Sequence, residues 1–310
     1  MARPGTSTYP VEMAFLIRVA TLFAGLSVCV CAMDLAGEVQ AKIRTFPGEV
    51  SIYAKNLDNG VTFALRGDEP VRTASTIKLA VMVEAFAAVA EGRAKWSEPL
   101  ILSASDIVSG SGVLRELSPG VWLPLRDVVN LMIVVSDNTA TNLLVDRFTA
   151  NAVNTRMEKL GLVQTRLMRK VRGDGSRLRP AEGWSVAGRD PANQKYGLGR
   201  TSPHEMVMLL ERLDKGEIVS ASASKEMIEI LKRQQLTEGI GRRTGKLVVA
   251  SKSGSLDALR SDVGIVYSPG GKIAMAITVD GMKEVDYSVD NVGNALISDL
   301  AQVLIKGLAK

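Results

Sequence analysis

Strand patterns lie at the two ends of this chain and helical patterns lie between them, which leaves few folds open. "EVSIYAKNL" (49–57) and "VTFALRG" (61–67) alternate apolar and polar residues around Asp58-Asn59-Gly60, a strong turn signal, so they form a β-hairpin. The alternation returns only near the other end, in "LVVASKSG" (247–254), "RSDVGIVYS" (260–268) and "KIAMAITVD" (272–280), with Ser268-Pro269-Gly270-Gly271 at the last turn. Between about 97 and 235 the signals are mostly helical, with 3.6-residue apolar faces in "LRDVVNLMIVV" and "TATNLLVDRF". Ser202 is placed to cap a helix starting at Pro203, and a last helix covers about 287–308. The expected fold is α/β in the sense of an α+β sandwich: one antiparallel sheet built from both chain ends and flanked by helices, with an inserted all-helical lobe. The sheet lobe takes 33–70 and 215–310, and the helical lobe 71–214.

Residues 1–32 stand apart. "VATLFAGLSVCVCA" (19–32) is an apolar run that follows Arg18 and ends in Val30-Cys31-Ala32, the pattern of a secretory signal and too short for a membrane span. Translation could equally begin at Met13. Export to the periplasm or beyond is the expectation, with the membrane met only through this segment. Both cysteines, Cys29 and Cys31, lie inside it, so the mature domain has no thiol nucleophile, disulfide or thiolate metal site. The single histidine, His204, cannot build a His-rich metal site and reads as an exposed helix-start residue. No metal or cofactor is expected, and the domain is expected to be a monomer. The net charge is +5, and 169–200 alone hold eight Lys/Arg against three Asp/Glu. The basicity therefore belongs to one long loop, which argues against a nucleic-acid surface.

Ser75 and Lys78, in "STIK", sit three apart where the apolar run "LAVMVEAFAAVA" begins. One Ser-x-x-Lys is a weak signal, and a second, Ser222/Lys225, lies in a polar helix start and reads as a solvated face. The first has company: Ser136-Asp137-Asn138 falls between two helical patterns, and Lys252-Ser253-Gly254 lies on a C-terminal strand. These three elements, in this order, resemble the active-site set of the class A β-lactamase and penicillin-binding (D-alanyl-D-alanine peptidase) superfamily. The resemblance spans about 34 to 310 and implies a β-lactamase/transpeptidase-like fold.

It also implies roles. Positions i and i+3 share a helix face, so Lys78 is held beside Ser75. Burial and a second cation, Lys252, would neutralise Lys78, which then takes the proton of the Ser75 nucleophile. Ser136 would relay a proton to the leaving nitrogen, and Asn138 would offer its amide to the acyl side chain. The backbone N–H groups of Ser75 and Ser255 would form the oxyanion hole. Lys252, Ser253 and Arg260 would bind the substrate carboxylate beside Gly254, and Asp137 is read as structural. The implied partner is a β-lactam or a D-Ala-D-Ala-type peptide.

One feature departs from the resemblance. Class A enzymes carry a glutamate on a long loop that activates the deacylating water. The corresponding stretch here is "TRLMRKV" (165–171), which matches at Thr165, Arg166, Leu167 and Arg169 and puts Val171 at the glutamate position. Three readings stay open: Asp174, Glu182 or Asp190 replaces the base; Lys78 and Ser136 activate the water, as in peptidases; or the acyl-enzyme breaks down slowly. The candidate activities are therefore β-lactam hydrolysis, D,D-peptidase action, a sensor that stays acylated, and an esterase of small acyl esters.

Overall fold

The computed structural model describes residues 1–2, 35–173 and 183–309. The predicted signal segment with its two cysteines, and the candidate bases Asp174 and Glu182, lie outside those residues.

The chain enters through helix α1 (35–43) and the predicted hairpin, β1 (Glu49–Asn56) and β2 (Thr62–Leu65), with Gly60 at φ 79° in its turn. A short strand β3 (Val71–Arg72) leads into helix α2 (Lys78–Ala90). The middle of the chain carries β4 (Pro99–Ile101), β5 (Trp122–Pro124), α3 (Leu125–Val134), α4 (Asn138–Phe148), α5 (Ala150–Lys159), β6 (Arg166–Leu167), α6 (Val186–Arg189) and β7 (Gly199–Thr201). Then come α7 (Pro203–Asp214), α8 (Ala221–Leu231), β8 (Val248–Leu256), β9 (Leu259–Ser268), β10 (Gly271–Asp280) and α9 (Val292–Leu308).

The main sheet has the order β2-β1-β10-β9-β8, antiparallel throughout, so the first and last strands of the chain meet at its centre, with Ile52 opposite Ile277. Side chains alternate between its faces, as the period-2 pattern requires. Ile52, Ile273, Met275, Ile277 and Val279 pack against α1 and α9, while Ala250, Val263, Ile265, Ala274 and Ala276 join the core of the helical lobe. The helix α7 begins at Pro203 with the Ser202 hydroxyl accepting from Glu205 N, as its sequence predicts. It packs on β1 and β10, so this last helix of the 71–214 segment belongs with the sheet. The helical lobe also carries two short ladders, β4-β5 and β3-β7-β6, whose strands are two or three residues long. At that length no periodicity can be read.

Helix α2 lies at the centre, and every residue from Lys78 to Ala88 is buried. Apart from Glu84, which pairs with Arg93 and Arg156, the helix is apolar all round and has no solvated face on which to place a charge. Lys78 therefore sits at 0% exposure at the helix start, just after the turn on which β8 packs. Among the described residues, no helix is long and apolar enough to cross a membrane.

Candidate active site

Strand β8 and the turn before α2 are brought together by a glycine. A Cβ on Gly254 would lie 2.8 Å from Ser75 N and 2.8 Å from Thr73 O, so any side chain there would push the strand off the turn. The turn is a 3₁₀ segment, Ala74–Ile77, entered through Ala74 at φ 45°. A left-handed alanine is uncommon, and it sets Ser75 at the wall of the cavity between sheet and helical lobe.

The third motif closes the same site. Helix α3 ends at Val134, and the chain turns through Ser136 at φ 54° into α4. Two left-handed non-glycine residues thus flank one site, the kind of place where such strain collects. Lys78 Nζ lies 2.7 Å from Ser136 O, 3.2 Å from Ser136 Oγ and 3.0 Å from Asn138 Oδ1. No carboxylate pairs with it among the described residues. Burial, then the positive charge of Lys252, hold its amine well below the usual lysine range, against a smaller opposing pull from Asp137.

Asp137 anchors this corner. Its Oδ1 accepts from Ala140 N (2.8 Å) as the cap of α4, and its Oδ2 accepts from Val113 N (2.6 Å) and Leu114 N (2.8 Å). Asp137→Ala removes a cap and leaves two further backbone donors without their partner. The expected loss of stability is about 2–4 kcal/mol, read as a lower urea midpoint at unchanged m value.

Lys252 is also fully buried. Its Nζ donates to Ser253 O (2.7 Å). Gln234, with its amide oriented so that the nitrogen faces Ile133 O and Val134 O, accepts from Lys252 Nζ at 3.2 Å and from Ser253 N at 3.3 Å. The end of α3 and the start of the Lys-Ser-Gly strand are thereby joined through one side chain. Burial pushes the Lys252 amine down to about 7, against the attraction of Asp262 and Glu238. Asp262, directly across the ladder from Ser253, is buried with Oδ2 accepting from Ile240 N (2.8 Å) and Oδ1 without a partner among the described residues. Burial raises its carboxyl to about 7.

From the loop, Val171 also lines the cavity. The Asn142 side chain clamps it from both sides, accepting from Val171 N (2.8 Å) and donating to Val171 O (2.9 Å). Asn142 lies one helical turn beyond Asn138 and on the same face of α4. Asp190 does not reach the cavity. Its side chain accepts from Ala192 N (2.9 Å) as the cap of an exposed 3₁₀ turn, so it is removed as a candidate base. Among the described residues of 165–200, no carboxylate lines the cavity.

The structure thus brings Ser75, Lys78, Ser136, Asn138, Lys252, Ser253, Gly254 and Ser255 to one place. Arg260 also borders the cavity, but its guanidinium donates to Leu256 O, Leu259 O and Asp286 O and lies 5.0 Å from the Tyr287 ring. That geometry braces the β8-β9 turn rather than aiming a cation at a ligand. His204 stacks on Tyr53 at 4.1 Å and meets Asp68, away from the cavity. Ser222 and Lys225 are exposed on α8. No group of three or more metal-ligating side chains occurs among the described residues. Sequence reasoning missed Asn142, Gln234 and Asp262. Asn142 did leave a signal, a second amide four residues after Asn138 and so on the same face of the helix. Gln234 and Asp262 act through contacts between distant segments and left none.

This arrangement of sheet, helical lobe and converging motifs is that of β-lactamases and penicillin-binding proteins. The chain is similar to a β-lactamase from Sphaerobacter thermophilus, at 30% identity over 88% of this chain and 96% of that one, with a TM-score of 0.75. It is similar to PBP-A at 26% identity (88% of this chain, 95% of that one, TM-score 0.73). It is also similar to a mutant of PBP-A solved as its acyl-enzyme complex with penicillin G, at 27% identity over 88% of this chain and 96% of that one, with a TM-score of 0.74. No curated protein matches. The Beta-lactamase enzyme family model matches residues 34–308, and the chain belongs to that family.

Proposed function

We propose that the protein is a serine hydrolase that is acylated by β-lactams on Ser75 and releases the acyl group slowly. The carrying observation is the Lys78 amine, fully buried, unpaired with any described carboxylate and 3.2 Å from Ser136 Oγ. A lysine kept neutral in that place is a base.

The steps then balance. Lys78 Nζ takes the Ser75 Oγ proton, and Oγ attacks the β-lactam carbonyl carbon. The N–H groups of Ser75 and Ser255 hold the developing oxyanion, worth about 3 kcal/mol of barrier per donor. The C–N bond breaks, and Ser136 passes its proton to the leaving nitrogen and regains one from the Lys78 ammonium. Lys252 and Ser253 receive the substrate carboxylate, with Arg260 fixing the turn beside them. Water must then attack the ester, and with Val171 on the loop and no described carboxylate of 165–200 lining the cavity, Lys78 and Ser136 are the described groups placed to activate it.

Val171 also favours a second reading, a D-alanyl-D-alanine peptidase of the penicillin-binding kind, and the acyl-enzyme reported for a PBP-A mutant suits it. A non-turnover sensor differs from both in showing one burst of product and no steady rate. Intact-mass spectrometry with benzylpenicillin over time tests the proposal. The expected result is a covalent adduct on the parent chain that decays slowly, and none on Ser75→Ala. An adduct that persists on Ser75→Ala sinks it.

Acylation should also report on Asp262. Its negative charge favours the Lys252 ammonium, so Asp262→Asn lowers the Lys252 amine further. The ammonium that binds substrate is lost as pH rises through that value, so the alkaline limb of the acylation profile moves to lower pH. The acid limb, set by neutralisation of Lys78, stays where it was. A pH profile of acylation rates for the two proteins checks both statements.

A further inference from the structure

The residues that line the cavity, of about 870 Å³, fall into two sets along the chain, a strand arm and a loop arm, that differ in charge. The strand arm is lined by Glu238, Asp257 and Asp262 together with Arg260. The loop arm is lined by Arg169, Val171, Arg172 and Gly173, facing Gly197 and Leu198, and has no described carboxylate. Arg72 also borders the cavity, but Asp280 neutralises it in a two-point contact. Arg169 and Arg172 have no such partner among the described residues.

The two guanidiniums are held by means other than charge. Arg169 is half-buried, and its Nη1 donates to Lys170 O (2.9 Å). Its Nη2 lies 4.0 Å from where a Cβ on Gly197 would stand, on the cavity wall. Arg172 lies over the Trp184 ring at 5.9 Å. The backbone around them is fixed as well, between them by the Asn142 clamp on Val171 and just after them by Gly173, where a Cβ would lie 2.5 Å from Ser109 Oγ. Burial and the neighbouring charge of Arg172 both act against the Arg169 cation, the setting an incoming anion relieves. Gly173 abuts Ser109, whose carbonyl accepts from Asn138 Nδ2, and Asn138 in turn accepts from Lys78, so this arm adjoins the amide read above as meeting the acyl side chain rather than the leaving group.

We infer that Arg169 and Arg172 form an anion subsite that selects acyl donors carrying a carboxylate on the acyl side chain. The inference rests on acylation at Ser75 but addresses a different part of the ligand. A guanidinium offers five donors in a fork that fits a carboxylate, and few of those donors are engaged by the described residues.

Carbenicillin and benzylpenicillin differ only in an α-carboxylate on the acyl side chain, which makes them a matched pair of probes. The ratio of their second-order acylation constants, carbenicillin over benzylpenicillin, should exceed one for the parent chain. It should fall about tenfold in Arg169→Gln/Arg172→Gln and less in Arg172→Gln alone. On the parent chain it should also fall as salt is raised. Ser75→Ala supplies a readout without chemistry: by calorimetry it should bind carbenicillin more tightly than benzylpenicillin. If neither penicillin acylates the parent chain but that binding preference holds and disappears in the arginine variants, the proposed function fails and the subsite stands. A ratio of one or below, or a ratio and preference that the substitutions and salt leave unchanged, overturns the subsite and means that these cations are matched from within the chain.

Discussion

Val171→Glu should convert slow release into turnover, raising the deacylation rate about 10²-fold or more. The size follows from general-base catalysis, which contributes roughly 10²–10⁴-fold when a positioned carboxylate takes a proton from attacking water. Position comes from Asn142, which binds both backbone groups of Val171 and does not depend on its side chain. The new carboxylate would project where Val171 now lines the cavity that Ser75 also borders. Arg169 and Arg172 nearby favour its ionised form, the form a base needs. Acylation should change little, because Lys78 and Ser136 are untouched. Single-turnover mass spectrometry separates the steps: the adduct forms as before and disappears faster. An adduct as long-lived as in the parent chain would mean that water has no path to the ester from the loop side.

Lys78→Met should have the opposite effect on the first step, slowing acylation about 10³-fold. Methionine keeps the length and apolar character of the side chain, so the core around α2 stays filled. The base is lost, and so is the donor to Ser136 O and Asn138 Oδ1. Stability should hold or rise, because the parent chain buries a group that is charged when unfolded. The sign of the pH dependence is fixed by the lowered amine. The unfolded chain binds a proton at Lys78 that the folded chain does not, so folding is favoured as pH rises toward the ordinary lysine range. In Lys78→Met that contribution to the pH slope of stability disappears, which urea titrations at several pH values measure. Near-parental acylation by this variant would remove Lys78 from the proposed role.

Much of this architecture was legible in the sequence because it rests on period and turn chemistry. The hairpin at Asp58-Asn59-Gly60, the three C-terminal strands and the cap at Ser202 all follow from local rules, and each is present. The last helix begins at Val292 rather than near 287, because Asn291 caps it and Asp286–Ser288 form a hydrogen-bonded turn of their own. The site was legible as three short motifs because their residue types are rare in such surroundings, above all a lysine entering an apolar run. What the sequence could not carry was the joining of distant segments. Gly254 reads as part of a motif, but its closeness to Ser75 N is a property of the fold. Arg260 illustrates the converse: a basic residue at a suggestive place whose donors are taken by carbonyls from two turns.

The pairing of β1 with β10 has a consequence for how the molecule is made. Strands separated by more than two hundred residues must meet before the sheet exists, and Asn56 Nδ2 reaches Leu308 O at 2.8 Å across that closure. During synthesis β1 and β2 emerge first and wait as an isolated hairpin, marginal in water, while the helical lobe that follows can pack around α2. Lys252 and Gly254 follow the helical segment in the chain, so the three motifs cannot come together until β8 has been made.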